Sequence, residues 1–110
     1  MLTELQVRGA RSLRHQWKLS DGGGLYLLVA PNGGRYWRYN YRFDGKLKTL
    51  ALGIFPDVPL ANARVRHQAA RQLLAEGIDP AAMKKLFGSR FALEWMRIRR
   101  QKLTSVNGGE

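Results

Sequence analysis

The chain contains no cysteine among its 110 residues. Disulfide staples, thiolate nucleophiles and cysteine-bound metals are therefore excluded, and the composition is compatible with an intracellular setting. Histidine is nearly as scarce, with two, and the eight acids are scattered. Metal centres generally need several such ligands, and no paired-carboxylate spacing for acid–base chemistry is present. The expectation is a chain with no metal or other cofactor and no small-molecule substrate. His67 falls within a helical stripe and reads as a core-edge residue. His15 lies in a basic stretch and reads as surface charge. Long apolar runs are missing as well, since nothing approaches the ~20 residues of a membrane span. Met1 to Ala10 mixes Glu4, Gln6 and Arg8 among its apolar residues and lacks the apolar core of a secretory signal. A cytoplasmic location with no membrane association is expected.

Positive charge dominates what remains. Lys and Arg total 19 against 8 for Asp and Glu, giving a net charge of +11. Such an excess attracts polyanions and speeds their capture. Nucleic acid is the first candidate partner and an anionic membrane surface the second; a basic surface with no dedicated ligand is the plainest alternative. The length suits one compact domain with some tail and a modest core.

The hydrophobic pattern predicts an α+β fold. Thr3 and Gln6 form a capping pattern over a short helical turn, Glu4 to Ala10. Residues 11 to 19 read as a basic, irregular arm. Ser20 to Gly24 reads as a turn. Its glycines lack the GxxxxGK[ST] spacing of a phosphate loop and precede a strand rather than a helix. Three strands follow, Leu25 to Ala30, Tyr36 to Phe43 and Lys46 to Leu52. The loop Pro31–Gly34 and the pair Asp44-Gly45 are hairpin signals between them, so an antiparallel meander is expected. Gly53 to Pro59 reads as a connector, because its two prolines disfavour strand and helix. Leu60 to Glu76 reads as the main helix, closed by Gly77. Its stripe of Leu60, Ala63, His67, Ala70 and Leu74, widened by Ala69 and Leu73, would cover one face of the sheet. After Asp79-Pro80, a short helix to Phe87 and a second over Arg90 to Leu103 form a helical tail. The predicted fold is thus a three-stranded antiparallel sheet packed on one main α-helix.

The middle strand carries the functional signal. Side chains alternate across a strand. Trp37, Tyr39, Tyr41 and Phe43 share one face and suit a core, while Tyr36, Arg38, Asn40 and Arg42 share the other. Arg38 and Arg42 can grip guanine or phosphate, and Asn40 can read adenine. An ordinary solvated face of a one-sided sheet is the alternative. On the third strand, Leu50 and Leu52 want the core, which sends Leu47, Thr49 and Ala51 outward. Lys46 and Lys48 then fall on the core side near the strand's start and must snorkel; a bulge after Asp44-Gly45 would also resolve the conflict.

These segments resemble a known family. Lys18 to Val29 looks like the opening motif of the N-terminal arm-binding domain of phage-type tyrosine integrases, the prophage integrases of the P4 type above all. Three further segments match in order: Tyr36 to Phe43, Lys48 to Pro56, and Leu60 to Arg64 running on to Gly77-Ile78-Asp79-Pro80. The resemblance covers about residues 2 to 80. It implies a three-stranded sheet on a helix that enters the major groove of double-stranded DNA at arm-type sites. Carried onto this chain, it puts Tyr26, Leu28, Arg38, Asn40, Arg42 and Thr49 on the DNA face, with Tyr36 beside them. Lys46 and Lys48 would flank that face as phosphate contacts, while the Ser20-Asp21 turn and Gly53 look structural. The family usually has Ser or Thr where Pro59 stands, so the helix would start differently or lose about 1 kcal/mol of capping.

The expected organisation is an arm-type DNA-binding domain over 1–80, then a linker and the truncated start of a core-type DNA-binding domain over 81–110. Phe91 to Trp95 looks like that start. The catalytic domain, with its nucleophilic tyrosine and arginines, does not follow. None of Tyr26, Tyr36, Tyr39 or Tyr41 takes its role, so the chain is not expected to cut or join DNA. It reads as a deliberate fragment of a longer integrase or the product of a truncated prophage gene. Two other readings stay open. Phe91, Trp95 and Ile98 could dock on other integrase subunits or an excision factor, and stacked aromatics could bind single-stranded RNA.

Overall fold

The computed structural model describes residues 1–88 apart from the Phe87 side chain. The helix expected over Arg90 to Leu103, with Phe91, Trp95 and Ile98, lies outside the described residues. The elements run α1 (Glu4–Arg8), β1 (Trp17–Gly22), β2 (Leu25–Val29), β3 (Arg35–Phe43), β4 (Lys46–Phe55), α2 (Leu60–Ala75) and α3 (Pro80–Phe87). The strands form one antiparallel sheet in the order β1-β2-β3-β4.

The sheet therefore has four strands rather than the three expected from sequence. The additional strand, β1, occupies part of the segment read as an arm and a turn. Trp17 and Leu19 are half-buried and Asp21 is buried, alternating with exposed Lys18 and Ser20. A charged residue at the third inward position hides this alternation. A bulge holds Asp21 between the Ser20–Tyr26 and Gly22–Leu25 pairs. The turn that follows is the glycine run itself, with Gly22, Gly23 and Gly24 all at positive φ.

The second and third links are the hairpins expected. Asp44 and Gly45 both have positive φ, the requirement of a type I′ turn whose twist matches the strands it joins. In the loop after β2, Gly34 N donates to Asn32 Oδ1 and Ala30 N to Gly34 O. β4 continues to Phe55, three residues past the end expected, and stops at Pro56. A bulge makes this possible: Trp37 pairs with Gly53 and Arg38 with Ala51, leaving Leu52 extra. Gly53 has no side chain to crowd Val58, which lies against it, and Arg66 Nη1 donates to the Leu52 carbonyl at 2.7 Å.

Two compact units divide the chain, Met1–His67 and Gln68 onward. In the first, the opening turns of α2 lie over the inner face of the sheet. Leu25, Leu27, Val29, Trp37, Leu50 and Leu52 are buried there with Leu60 and Ala63. The Trp37 indole N–H donates to Val58 O at 2.7 Å, which satisfies the only polar atom of a fully buried ring. Tyr39 stacks on Tyr41 and meets the edge of His67. His67 is the core-edge residue expected: it is buried, with Nε2 2.9 Å from Gly23 O. Pro59 starts α2 with its carbonyl, which accepts from Ala63 N, so the helix begins at Leu60 as anticipated.

The N-terminus is tied to this unit. Thr3 and Gln6 form the capping box of α1. Leu2 N donates to Asp21 Oδ1, and Leu2 O accepts from Arg64. In the second unit, Ala69, Ala70 and Leu73 are buried and Leu74 half-buried. Gly77 ends α2 at positive φ, with Ile78 N donating back to Leu73 O. Asp79 caps α3 through Ala81 N, and Pro80 takes the first helical position.

Candidate nucleic-acid interface

The antiparallel registers decide which side chains share the outer face. Paired residues point to the same side of a sheet. Tyr26 pairs with Arg38 and Leu28 with Tyr36 across β2 and β3. Asn40 pairs with Thr49, Arg42 with Leu47 and Arg38 with Ala51 across β3 and β4. The sequence alternation of β3 thus holds in full. Trp37, Tyr39 and Tyr41 are buried on the inner face, Tyr36, Arg38 and Asn40 are half-buried on the outer one, and Arg42 is exposed there.

β1 adds two residues that the sequence reading missed. Lys18 pairs with Leu28 and Ser20 with Tyr26, so both join the outer face. The signal was the alternation Trp17-Lys18-Leu19-Ser20-Asp21 before a glycine turn. Lys18 Nζ lies 4.9 Å from the centre of the Tyr26 ring, and the Arg38 guanidinium lies 5.9 Å from that of Tyr36. Aromatic faces thus support both cations from within the same surface. Arg38 Nε is buried without a hydrogen-bond partner among the described residues. A guanidinium cannot lose its proton, so a buried N–H left unpaired costs about 1–3 kcal/mol until an acceptor reaches it.

None of the residues that the registers place on this face is an Asp or Glu. Asp21 points the other way, into a pair with Arg64. Its carboxylate takes Arg64 Nε at 3.0 Å and Nη2 at 2.9 Å. Burial pushes the Asp21 carboxyl up, but the Arg64 hydrogen bonds, the Leu2 amide and nearby positive charge together hold it below its ordinary value. The bond to Asp21 in turn raises Arg64. The neighbouring acid is thereby neutralised on the covered side, and the outer face keeps its positive sign.

Lys46 and Lys48 stand apart from that array. They pair with Phe43 and Tyr41, on the inner side of the sheet near the β3–β4 turn. Lys46 is exposed, and half-buried Lys48 holds its Nζ 5.8 Å from the Phe43 ring centre. The strand start carries no bulge, so snorkelling rather than a bulge after Asp44-Gly45 resolves their position. Apolar side chains also reach the outer surface. Leu47 is 67% exposed and Ile54 50%, with small Ala51 between them. Such groups suit the thymine methyl in a groove. Among the described residues, no cluster of His, Cys, Asp or Glu could hold a metal ion. No described helix is long and apolar enough to cross a membrane.

Residues 2–86 match the family described as the arm DNA-binding domain. The chain belongs to this family. It is a DNA-binding domain, and the resemblance read from its motifs is correct. The arm domain is 44% identical over 86 residues to the integrase of Enterobacteria phage P4, covering 76% of this chain and 20% of that protein. It is 57% identical over 61 residues to IntB of Escherichia coli K12, covering 56% of this chain and 15% of IntB. The prophage integrase IntS of the same strain is 40% identical over 85 residues, 77% of this chain and 22% of IntS. The chain thus spans about a fifth or less of the length of these relatives.

Proposed function

We propose that the outer face of the sheet reads double-stranded DNA in the major groove, at arm-type sites, as the recognition module of a site-specific integrase. The observation that carries this reading is the outer face itself. Lys18, Arg38 and Arg42 share that face with the Asn40 amide, with no carboxylate among them, on the side of the sheet opposite Trp37 and Tyr39. The major groove admits β-strands, and Arg and Asn are the side chains that pair with base edges there. Lys18, on an edge strand, is placed for phosphate, which gives affinity and orientation rather than sequence choice. Lys46 and Lys48, at the β3–β4 turn, reach the backbone from the rim in the same reading. Relatives named integrase and prophage integrase support this reading, in which the domain serves integration and recombination of phage or prophage DNA in the cytoplasm.

The arm domain reads DNA and does not cut or join it. It ends near residue 80 in this reading, with 81–110 leading toward a core-type DNA-binding domain. A titration of the 110-residue chain with attachment-region duplex and with random duplex, over a range of salt, tests the proposal. The expected result is tighter binding to the attachment region and a steep loss of affinity with salt on both. Equal affinity for the two duplexes contradicts sequence readout, and cleavage of either contradicts the assignment as a reader.

A further inference from the structure

The oxygen of the Asn40 amide, at the centre of the outer face, is already engaged. Tyr26 Oη donates to Asn40 Oδ1 from β2 at 3.2 Å, and Thr49 Oγ1 donates to it from β4 at 2.9 Å. The registers explain the arrangement. Thr49 stands directly opposite Asn40, and Tyr26 stands opposite Arg38, one diagonal step away. A long aromatic side chain spans that diagonal. An amide oxygen offers two lone pairs, and the nitrogen two N–H donors. Both lone pairs are taken, while the nitrogen has no partner among the described residues. The backbone beneath is fixed too, since Asn40 N donates to Gly24 O at 2.9 Å.

We infer that Asn40 meets DNA as a donor-only group and selects a base with a keto oxygen on its major-groove edge, guanine or thymine, in place of adenine. This rests on the outer face being the DNA interface and names the chemistry that face reads. A free asparagine pairs with adenine by donating to N7 and accepting from the N6 amino group. With Oδ1 engaged, the adenine amino group meets no acceptor. Guanine O6 and N7, or thymine O4, accept from the amide nitrogen without that loss. Tyr26 and Thr49 are then positioning residues: they act on base choice through Asn40. The opposite amide orientation has its own signature. Rotated by a half-turn, the nitrogen would donate to both hydroxyls and the oxygen would face the groove, which selects a base with an amino group on that edge, cytosine or adenine.

Selection from a randomised duplex library, with the bound pool sequenced, separates these arrangements. The 110-residue chain and its N40A variant are compared first. The position that loses its preference in N40A is the one Asn40 reads, and the expected base there is guanine or thymine. In a Y26F and T49V double variant both lone pairs are free, and the same position is expected to move toward adenine by about tenfold, within the range of one base contact. T49V alone, at an exposed site, is expected to give part of that shift and covers the case in which the double variant does not fold. Adenine or cytosine at the Asn40 position of the parent chain overturns the inference. So does a position unchanged by the variants, or an N40A pool with no lost preference. If the parent enriches no sequence at all, the DNA-reading proposal falls with it; an enriched site with adenine at that position sinks only the donor-only assignment.

Discussion

Asp21 on β1 holds Arg64 on α2 through two hydrogen bonds, at 3.0 and 2.9 Å, and the same pair grips the amide and carbonyl of Leu2. One carboxylate thus fastens an edge strand, the main helix and the N-terminus. Replacing it removes bonds to a charged partner and leaves Arg64 with the Leu2 carbonyl as its remaining acceptor. Asp21→Ala is expected to lower stability by about 1.5–3 kcal/mol, the scale of hydrogen bonds to charged groups, as read by urea denaturation. Unchanged stability contradicts the account of β1 as an anchored strand.

The same pair gives stability a sign with pH. The Asp21 carboxyl sits below its ordinary value of 3.8 in the folded chain. Between the folded and unfolded values the unfolded chain binds more protons, so acid favours unfolding. The contribution is fully present above about pH 4 and is lost as pH falls through the folded value. Denaturation midpoints of the parent chain should drop in that acid window, and Asp21→Asn should flatten the drop. Equal pH profiles for the two chains would remove the linkage.

Gly24 lies at positive φ directly against the Asn40 carbonyl and the Tyr39 ring. A side chain there meets backbone on one side and a buried ring on the other. Gly24→Ala is expected to cost on the order of 1–3 kcal/mol from the strained conformation and to weaken duplex binding beyond what stability explains, because the Asn40 backbone must shift. Thermal melting and a binding titration below the melting range check both parts.

Base contacts and phosphate contacts separate by their signatures. Arg38→Ala and Asn40→Ala should each cost about 1–3 kcal/mol on the preferred duplex and relax sequence choice. Lys18→Ala should weaken all duplexes alike and reduce the salt slope by about one unit. Lys48→Ala, on the inner side of the hairpin, should also act uniformly but with a smaller loss than Lys18→Ala. Fluorescence anisotropy at several salt concentrations measures all four. A sequence-selective effect of Lys18→Ala would contradict the assignment.

Much of this was legible because β3 states its own faces. Four aromatics alternating with Tyr36, Arg38, Asn40 and Arg42 admit one burial pattern, and Asp44-Gly45 sets the register that brings Thr49 beside Asn40. β1 was not legible, since its third inward residue is an acid made tolerable by Arg64, 43 residues away, and by the Leu2 amide. Lys18 and Ser20 were lost from the site with it. The extension of β4 was hidden for a related reason: Gly53 breaks the alternation, and the bulge that it permits depends on Val58 and Arg66 closing over it. The state of Asn40 was equally out of reach, because it depends on a tyrosine and a threonine brought together only by pairing on both sides of β3.

DNA is expected to meet the sheet face opposite Trp37. An NMR titration of the isotope-labelled chain with attachment-region duplex tests it most directly. The Asn40 side-chain amide and the backbone signals of Lys18, Tyr26, Arg38 and Thr49 are expected to shift or broaden first, while Trp37 Nε1, bonded to Val58 on the covered face, stays in place. Leading shifts in exposed residues of α2, such as Val65 and Gln68, with Arg38 and Asn40 unmoved, would contradict it.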